Sequence, residues 1–188
     1  MPVTNISGII LAGGKSLRMG ADKGLVRYRG RYLIEHAIDY MSDYCTEMVI
    51  STHNPAYRQF GYRCIPDIHR NIGPLGGIHA ALKQINNTTA LITACDIPEI
   101  DRQVLHQLCM CSDKYACVYL QDKDEIIQPL PLSLHGNLID LLNGQINDGN
   151  LSIHEFIRKC AELPEIETKV IYINNPLKNI NFAGDLNN

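Results

Sequence analysis

Residues 8–24 carry the densest chemistry of the 188-residue chain. The apolar run GIILA breaks into GGKSLRMGADKG, a segment with four glycines and the charged side chains Lys15, Arg18, Asp22 and Lys23. An apolar stretch ending in glycine reads as a buried parallel strand, and the N–H groups beyond it approach phosphate oxygens closely only where side chains are missing. Arg18 and Lys23 add mobile positive charge, so the segment is suited to a polyphosphate. Spacing excludes two common phosphate motifs. Gly14-Lys15-Ser16 looks like the end of G-x-x-x-x-G-K-[ST], but the first glycine of that motif would have to stand at Ile9, inside the strand. G-x-G-x-x-G fails because no glycine stands two places after Gly13 or two before Gly20.

Other candidates also follow apolar runs. Asp96 comes directly after Ala90 to Cys95 and precedes Ile97-Pro98. A turn or helix-cap role competes there, but Asp101 is placed to cap the next helix. A carboxylate at a strand end facing phosphates is the oxygen ligand that Mg²⁺ takes, with phosphates and water completing the octahedron. Asp67 follows Cys64-Ile65-Pro66 and by itself reads as a turn aspartate. Gly73-Pro74-Leu75-Gly76-Gly77 reads as a tight turn opening a helix, where free N–H groups and close approach would let a flat ring lie against backbone. His36, His79, His106 and His154 fall in helical patterns and form no metal-ligand pair. The seven cysteines are scattered without a C-x-x-C pair and read mostly as reduced, small core residues. Cys109 and Cys111 could meet a soft metal, but on a helix they point apart.

These residues need a scaffold. Apolar runs alternate with amphipathic stretches, the pattern of β-α-β units and a parallel sheet. Strands are predicted at 6–12, 47–52, 62–66, 90–95, 116–120, 126–134 and 169–173, and helices at 32–43, 76–86, 102–111, 135–143 and 151–161. Asp101 and Asn150 are the expected caps of the third and last helices. Gln121 to Asp124 is too short for a crossover helix, so residues 116–134 form an antiparallel pair. The expected fold is a single α/β domain over 1–188, a Rossmann-like three-layer sandwich with a mostly parallel sheet and one antiparallel strand. In such sheets ligands bind beyond the carboxyl ends of the strands, where all these candidates lie.

The net charge of −3 gives no general reason to bind nucleic acid or anionic lipid. Residues 15–31 reverse this locally, with six cations against Asp22 alone. Arg27, Arg29 and Arg31 alternate at strand period and read as the solvated face of a short ribbon around Gly30. The start of the chain lacks the basic and long apolar segments of a signal peptide, and no run suits a membrane span, so the expected location is the cytoplasm.

LAGGKSLRMGADKG resembles the L-A-G-G-x-S-x-R-M-G-x-D-K-G signature of the molybdenum cofactor guanylyltransferases, within the nucleotidyltransferase superfamily. The resemblance implies transfer of GMP from Mg-GTP to the terminal phosphate of molybdopterin or Mo-molybdopterin, with release of pyrophosphate. It further implies a GTP site of Leu11, Ala12, Gly13, Gly14, Lys23, Ser51, Asp67, Gly76 and Asp96. Arg18 and Lys23 would stabilise the triphosphate, Asp96 would hold Mg²⁺, and Asp67 ahead of Gly-Pro-Leu-Gly would serve the guanosine. Asn179 and Asn181, similar to an N-x-N-T-P motif, would face the molybdopterin. Here Phe182 and Ala183 replace Thr and Pro, and Ser51 stands where the family commonly has Asn. Other proteins that handle molybdenum cofactor are the natural partners by the same analogy. The rival readings are another nucleotidyltransferase such as a molybdopterin cytidylyltransferase, against which Gly13-Gly14 and the Gly-Pro-Leu-Gly segment lean, and a non-catalytic nucleotide- or cofactor-binding relative, against which Arg18, Lys23 and Asp96 lean.

Overall fold

The computed structural model describes residues 5–13, 22–68 and 72–180. β1 (Ile6–Leu11) is buried at every position, as a strand covered on both faces must be. β2 (Arg27–Tyr28) and β3 (Arg31–Tyr32) form the short ribbon around Gly30. Then follow α1 (Leu33–Ser42), β4 (Glu47–Ser51), β5 (Arg63–Ile65), α2 (Pro74–Leu82), β6 (Thr89–Ala94) and α3 (Arg102–Cys111). β7 (Cys117–Asp122), β8 (Ile127–His135), α4 (Ile139–Asn147), α5 (Ile153–Glu162) and β9 (Thr168–Ile173) complete the elements.

One seven-stranded sheet runs in the order β5-β4-β1-β6-β8-β7-β9. β8 lies antiparallel to both β6 and β7, while the β5-β4-β1-β6 side and the β7–β9 pair are parallel. Side-chain alternation divides the core into two layers. Ile6 and Ile10 join Ile34, Ala37 and Met41 of α1 and Leu105 and Leu108 of α3 on one face. Ile9 and Leu11 join Leu75 and Ile78 of α2, Leu142 of α4 and Phe156 of α5 on the other. The three-layer sandwich read from the sequence is therefore the fold found, with all seven strands and five helices in place.

Two local expectations are corrected. The helix expected at 135–143 begins at Ile139, after a 3₁₀ turn over Gly136–Leu138. Pairing of His135 with Thr89, and its N–H bond to the Ala116 carbonyl (2.8 Å), hold the strand beyond the local helical signal. The last helix is capped by Ser152, whose hydroxyl accepts from the Glu155 amide, and Asn150 instead accepts from Ser152 N–H. Asp101 caps α3 as expected, through the Gln103 amide at 2.8 Å. All seven cysteines are unbridged; Cys95, Cys109, Cys117 and Cys160 are buried. No helix among the described residues is long and apolar enough to cross a membrane.

At the amino edge of the sheet Glu47 gathers four donors. Ser7 Oγ (2.8 Å) and Asn86 N (2.9 Å) donate to Oε2, and Asn86 Nδ2 (2.9 Å) and Arg63 Nη2 (3.0 Å) donate to Oε1. These bonds tie β1, β4, β5 and the α2–β6 loop together. Glu47→Ala should cost about 2–3 kcal/mol, the scale of losing hydrogen bonds to a charged acceptor. Urea unfolding measures the loss, and nucleotide affinity at the opposite edge should stay unchanged.

Candidate active site

β1 and β6 are neighbours, but the chain leaves β1 towards β4 and leaves β6 towards β7 and β8, so a crevice opens at their carboxyl ends. A cleft of about 1030 Å³ occupies that edge. Sheet order sets out its contents laterally: Asp67 after β5, Ser51 at the end of β4, Leu11 at the end of β1 with Ala12 and Gly13 following, Asp96 after β6 and Gln128 on β8. Asn179 lines it from the C-terminal segment. Arg18, Gly14 and Asn181 lie outside the described residues.

At the centre, Lys23 Nζ donates to Asp96 Oδ2 at 2.5 Å, with the two side chains 19% and 18% exposed. Both are held from behind. Lys23 begins a 3₁₀ turn, Lys23–Leu25, whose preceding Asp22 accepts from Tyr57 Oη and from Asn54 Nδ2 (2.9 Å). Burial is the main cause that pushes the Tyr57 phenol far above its ordinary value, so it remains the donor. A Cβ on Gly24 would collide with Tyr57 Oη and stand 3.1 Å from Cys95 Sγ, so only glycine lets this turn close on the sheet.

The Asp96 turn is clamped through its neighbours. Tyr40 on α1 donates its single proton to the Ile97 carbonyl (3.0 Å), which makes the Thr93 hydroxyl, 2.8 Å away, the donor to Tyr40. Ile180 N–H donates to the Asp96 carbonyl at 2.9 Å, and the Ile180 side chain is buried with Tyr28 and Leu33 under the ribbon. Cys95 stands beside this centre, but burial pushes its thiol well up, so it is no thiolate nucleophile.

On the β4–β5 side, Ser51 Oγ donates to Asp67 Oδ1 at 3.2 Å. Gly77 backs directly onto this pair: a Cβ there would collide with Ser51 Oγ and sit 3.2 Å from Asp67 Oδ1 and 3.3 Å from Leu11 Cδ2. Gly73, at a φ of 71° that favours glycine, turns the chain into α2, and Pro74 takes the first helical position. The Gly76 amide bonds to the Gly73 carbonyl (3.2 Å), and of these two buried glycines, Gly76 and Gly77, it is Gly77 that lines the cleft. Ala12 lines the cleft, but its amide donates to the Ser51 carbonyl (2.9 Å) and is not available to a phosphate.

Arg27, Arg29 and Arg31 are exposed on the ribbon, where Arg29 pairs with Glu99 and Arg31 with Asp39, as a solvated face requires. The sequence singles out Gly77 only as part of the segment 73–77, and Gln128 and Tyr57 not at all as site residues. Asn54-Pro55 is the signal that could have located the 3₁₀ segment Pro55–Phe60 carrying Tyr57, because Asn54 caps it through the Ala56 amide.

A mostly parallel sandwich with a glycine-bearing first strand end and a paired lysine and aspartate at the β1–β6 crevice defines a nucleotidyltransferase-type α/β protein. The chain belongs to the MobA-like NTP transferase domain family, whose model matches residues 8–163. A probable molybdenum cofactor guanylyltransferase of Clostridium perfringens is 36% identical over 156 residues, covering 82% of this chain and 76% of that protein. Among solved structures, the molybdopterin-guanine dinucleotide biosynthesis protein A of Archaeoglobus fulgidus matches with a TM-score of 0.75 at 23% identity, over 96% of this chain and 95% of that one. A Mycobacterium tuberculosis protein solved in complex with manganese shares the fold, with a TM-score of 0.71 at 13% identity, over 97% of this chain and 96% of that one.

Proposed function

We propose that the protein transfers GMP from GTP to the terminal phosphate of molybdopterin, in the form that carries molybdenum or the form that lacks it, releasing pyrophosphate. The observation that carries this reading is the lateral order of the cleft. From Asp67 on the β5 side to Asp96 after β6 is three strand spacings, about 15 Å, on the order of the reach from a purine to the outer phosphates of an extended nucleotide. The base then lies against Gly77 with Asp67 and Ser51 beside it, and the phosphates lie at Lys23 and Asp96. Gln128 and Asn179 remain on the far side for the acceptor. The relatives named as guanylyltransferases support guanine as the base and molybdopterin as the acceptor.

Asp96 suits Mg²⁺: it is an oxygen donor on the cleft wall, and Mg²⁺ is commonly held by one or two carboxylates together with substrate phosphates and water. When bound there, the metal supplies neutralisation of phosphate charge. Lys23 compensates the remaining charge, and Arg18 and the amide of Gly14 carry the roles their motif implies. The acceptor phosphate attacks the α-phosphorus in line; a new P–O bond forms as the bond to the β-phosphate oxygen breaks, and pyrophosphate leaves with the electron pair. An ionised phosphate nucleophile requires no general base, so the side chains act by placement and charge.

Thermal unfolding with Mg²⁺ and each nucleotide tests the base. GTP at a hundred times its Kd should stabilise the fold by about 2.7 kcal/mol over the ligand-free protein, and CTP and UTP at the same concentration by less. A larger shift with CTP would reject guanylyl transfer and leave nucleotidyl transfer standing.

A further inference from the structure

We propose that Lys23 is a placeholder for the metal, so that the cleft takes up a divalent cation only together with a nucleotide. The proposal rests on the reading of Asp96 as metal ligand and goes beyond it. The Lys23 ammonium sits 2.5 Å from Asp96 Oδ2, in direct contact with the carboxylate that a metal would use. The contact is largely withdrawn from water, where attraction between opposite charges, and repulsion between a second cation and the ammonium, are stronger than at an open surface.

The backbone on both sides is immobilised. Asp22 is fixed by Tyr57 and Asn54, Gly24 packs against Tyr57 and Cys95, and the Asp96 turn is tied through Tyr40 and Ile180. With these described anchors in place, Lys23 can change partner by rotation along its four-carbon arm. No group of three or more His, Cys, Asp or Glu residues suited to a metal occurs among the described residues, so Asp96 is not part of a protein-only ligand set there, and phosphate oxygens would have to complete the metal's shell. A triphosphate changes both terms: its oxygens give the ammonium another anion to bind and add the oxygen ligands that Asp96 lacks. Lys23 therefore exchanges Asp96 for the phosphates, and Asp96 becomes available at that moment.

Manganese binding without turnover tests this, by titrating Mn²⁺ into metal-free protein and following the paramagnetic resonance signal of the free ion. Without nucleotide, Lys23→Met should bind Mn²⁺ at least about tenfold more tightly than the parent, and should keep that gain at about 0.5 M salt, where a diffuse field effect is screened. The gain should vanish in the Lys23→Met/Asp96→Asn double variant. Lys23→Arg, which retains a cation against Asp96, should bind as weakly as the parent. Circular dichroism checks each fold, and Lys23→Gln replaces Lys23→Met should the latter misfold. With GTP, CTP or pyrophosphate present, the parent should gain a saturable Mn²⁺ site. Equal affinity of the parent and Lys23→Met without nucleotide overturns the placeholder, as does a gain that salt erases or that survives loss of Asp96. Nucleotide-dependent Mn²⁺ binding that Asp96→Asn leaves intact removes the metal role of Asp96 itself. A site that forms with CTP and not with GTP rejects the guanylyl reading and leaves the placeholder standing.

Discussion

Replacing Asp96 with asparagine is expected to lower nucleotidyl transfer by about 10²- to 10³-fold, the scale on which loss of one aligned electrostatic group slows an enzyme. Asparagine keeps the shape of the side chain and an oxygen able to accept from Lys23, while removing the negative charge proposed to hold the metal. The backbone of the turn should survive, because its anchors are the Ile97 carbonyl bonded by Tyr40 and the Asp96 carbonyl bonded by Ile180 N–H. The stability change should therefore stay near about 1 kcal/mol, as for a partly exposed ion pair. GTP affinity in the absence of metal should not fall, since a carboxylate beside the triphosphate repels it. Turnover at saturating GTP and Mg²⁺, with the GTP Kd measured calorimetrically in chelator, gives both quantities. A variant within about tenfold of the parent rate, or less than 1.4 kcal/mol in barrier, would move the metal to another carboxylate. Asp185, outside the described residues, is the first to examine.

The second large effect is expected from a single methyl group. Gly77→Ala places a Cβ against Ser51 Oγ and within 3.2 Å of Asp67 Oδ1, at the wall proposed to receive the base. Ser51 is only 2% exposed, so its hydroxyl has little room to turn aside and does so only by giving up its bond to Asp67. Overpacking of this kind costs about 1–3 kcal/mol, which appears as a loss of roughly 5- to 150-fold in GTP affinity where the strained atoms form the ligand wall. Gly144→Ala is the matched control. Gly144 sits within α4 with no atom in the way, so alanine there should raise stability by about 0.5–1 kcal/mol and leave GTP binding alone. If Gly77→Ala melts earlier but binds GTP with parental affinity, the α2 turn supports the fold and does not receive the base.

Much of this architecture is a local property of the chain. The continuous apolar run of β1, the alternation that sends Ile9 and Ile10 into opposite layers, and the cap at Asp101 each depend on neighbouring residues, so the strand and helix sequence could be read directly. Once a parallel sheet was expected, the end-of-strand positions of Ser51, Asp67 and Asp96 placed them on one edge, where they line a single cleft. The short Gln121 to Asp124 link similarly implied an antiparallel pair, but not that β8 would insert between β6 and β7 and bring Gln128 to the cleft. Strand order arises from pairing between distant segments, and the same pairing carried β8 through His135 against a helical signal.

The finer contacts have the same origin. Lys23 and Asp96 lie 73 residues apart in the chain, and Asp22 meets Tyr57 across 35, separations over which periodicity carries no information. The glycine motif alone implied no more than room for a phosphate to approach. Only tertiary packing decided that Ala12's amide is already bonded to Ser51, that Gly77 rather than Gly76 faces the cleft, and that Lys23 already rests on Asp96. Residue types set which charges and hydrogen bonds are available; which of them meet is decided when the two layers pack on the sheet and bring remote segments within contact distance.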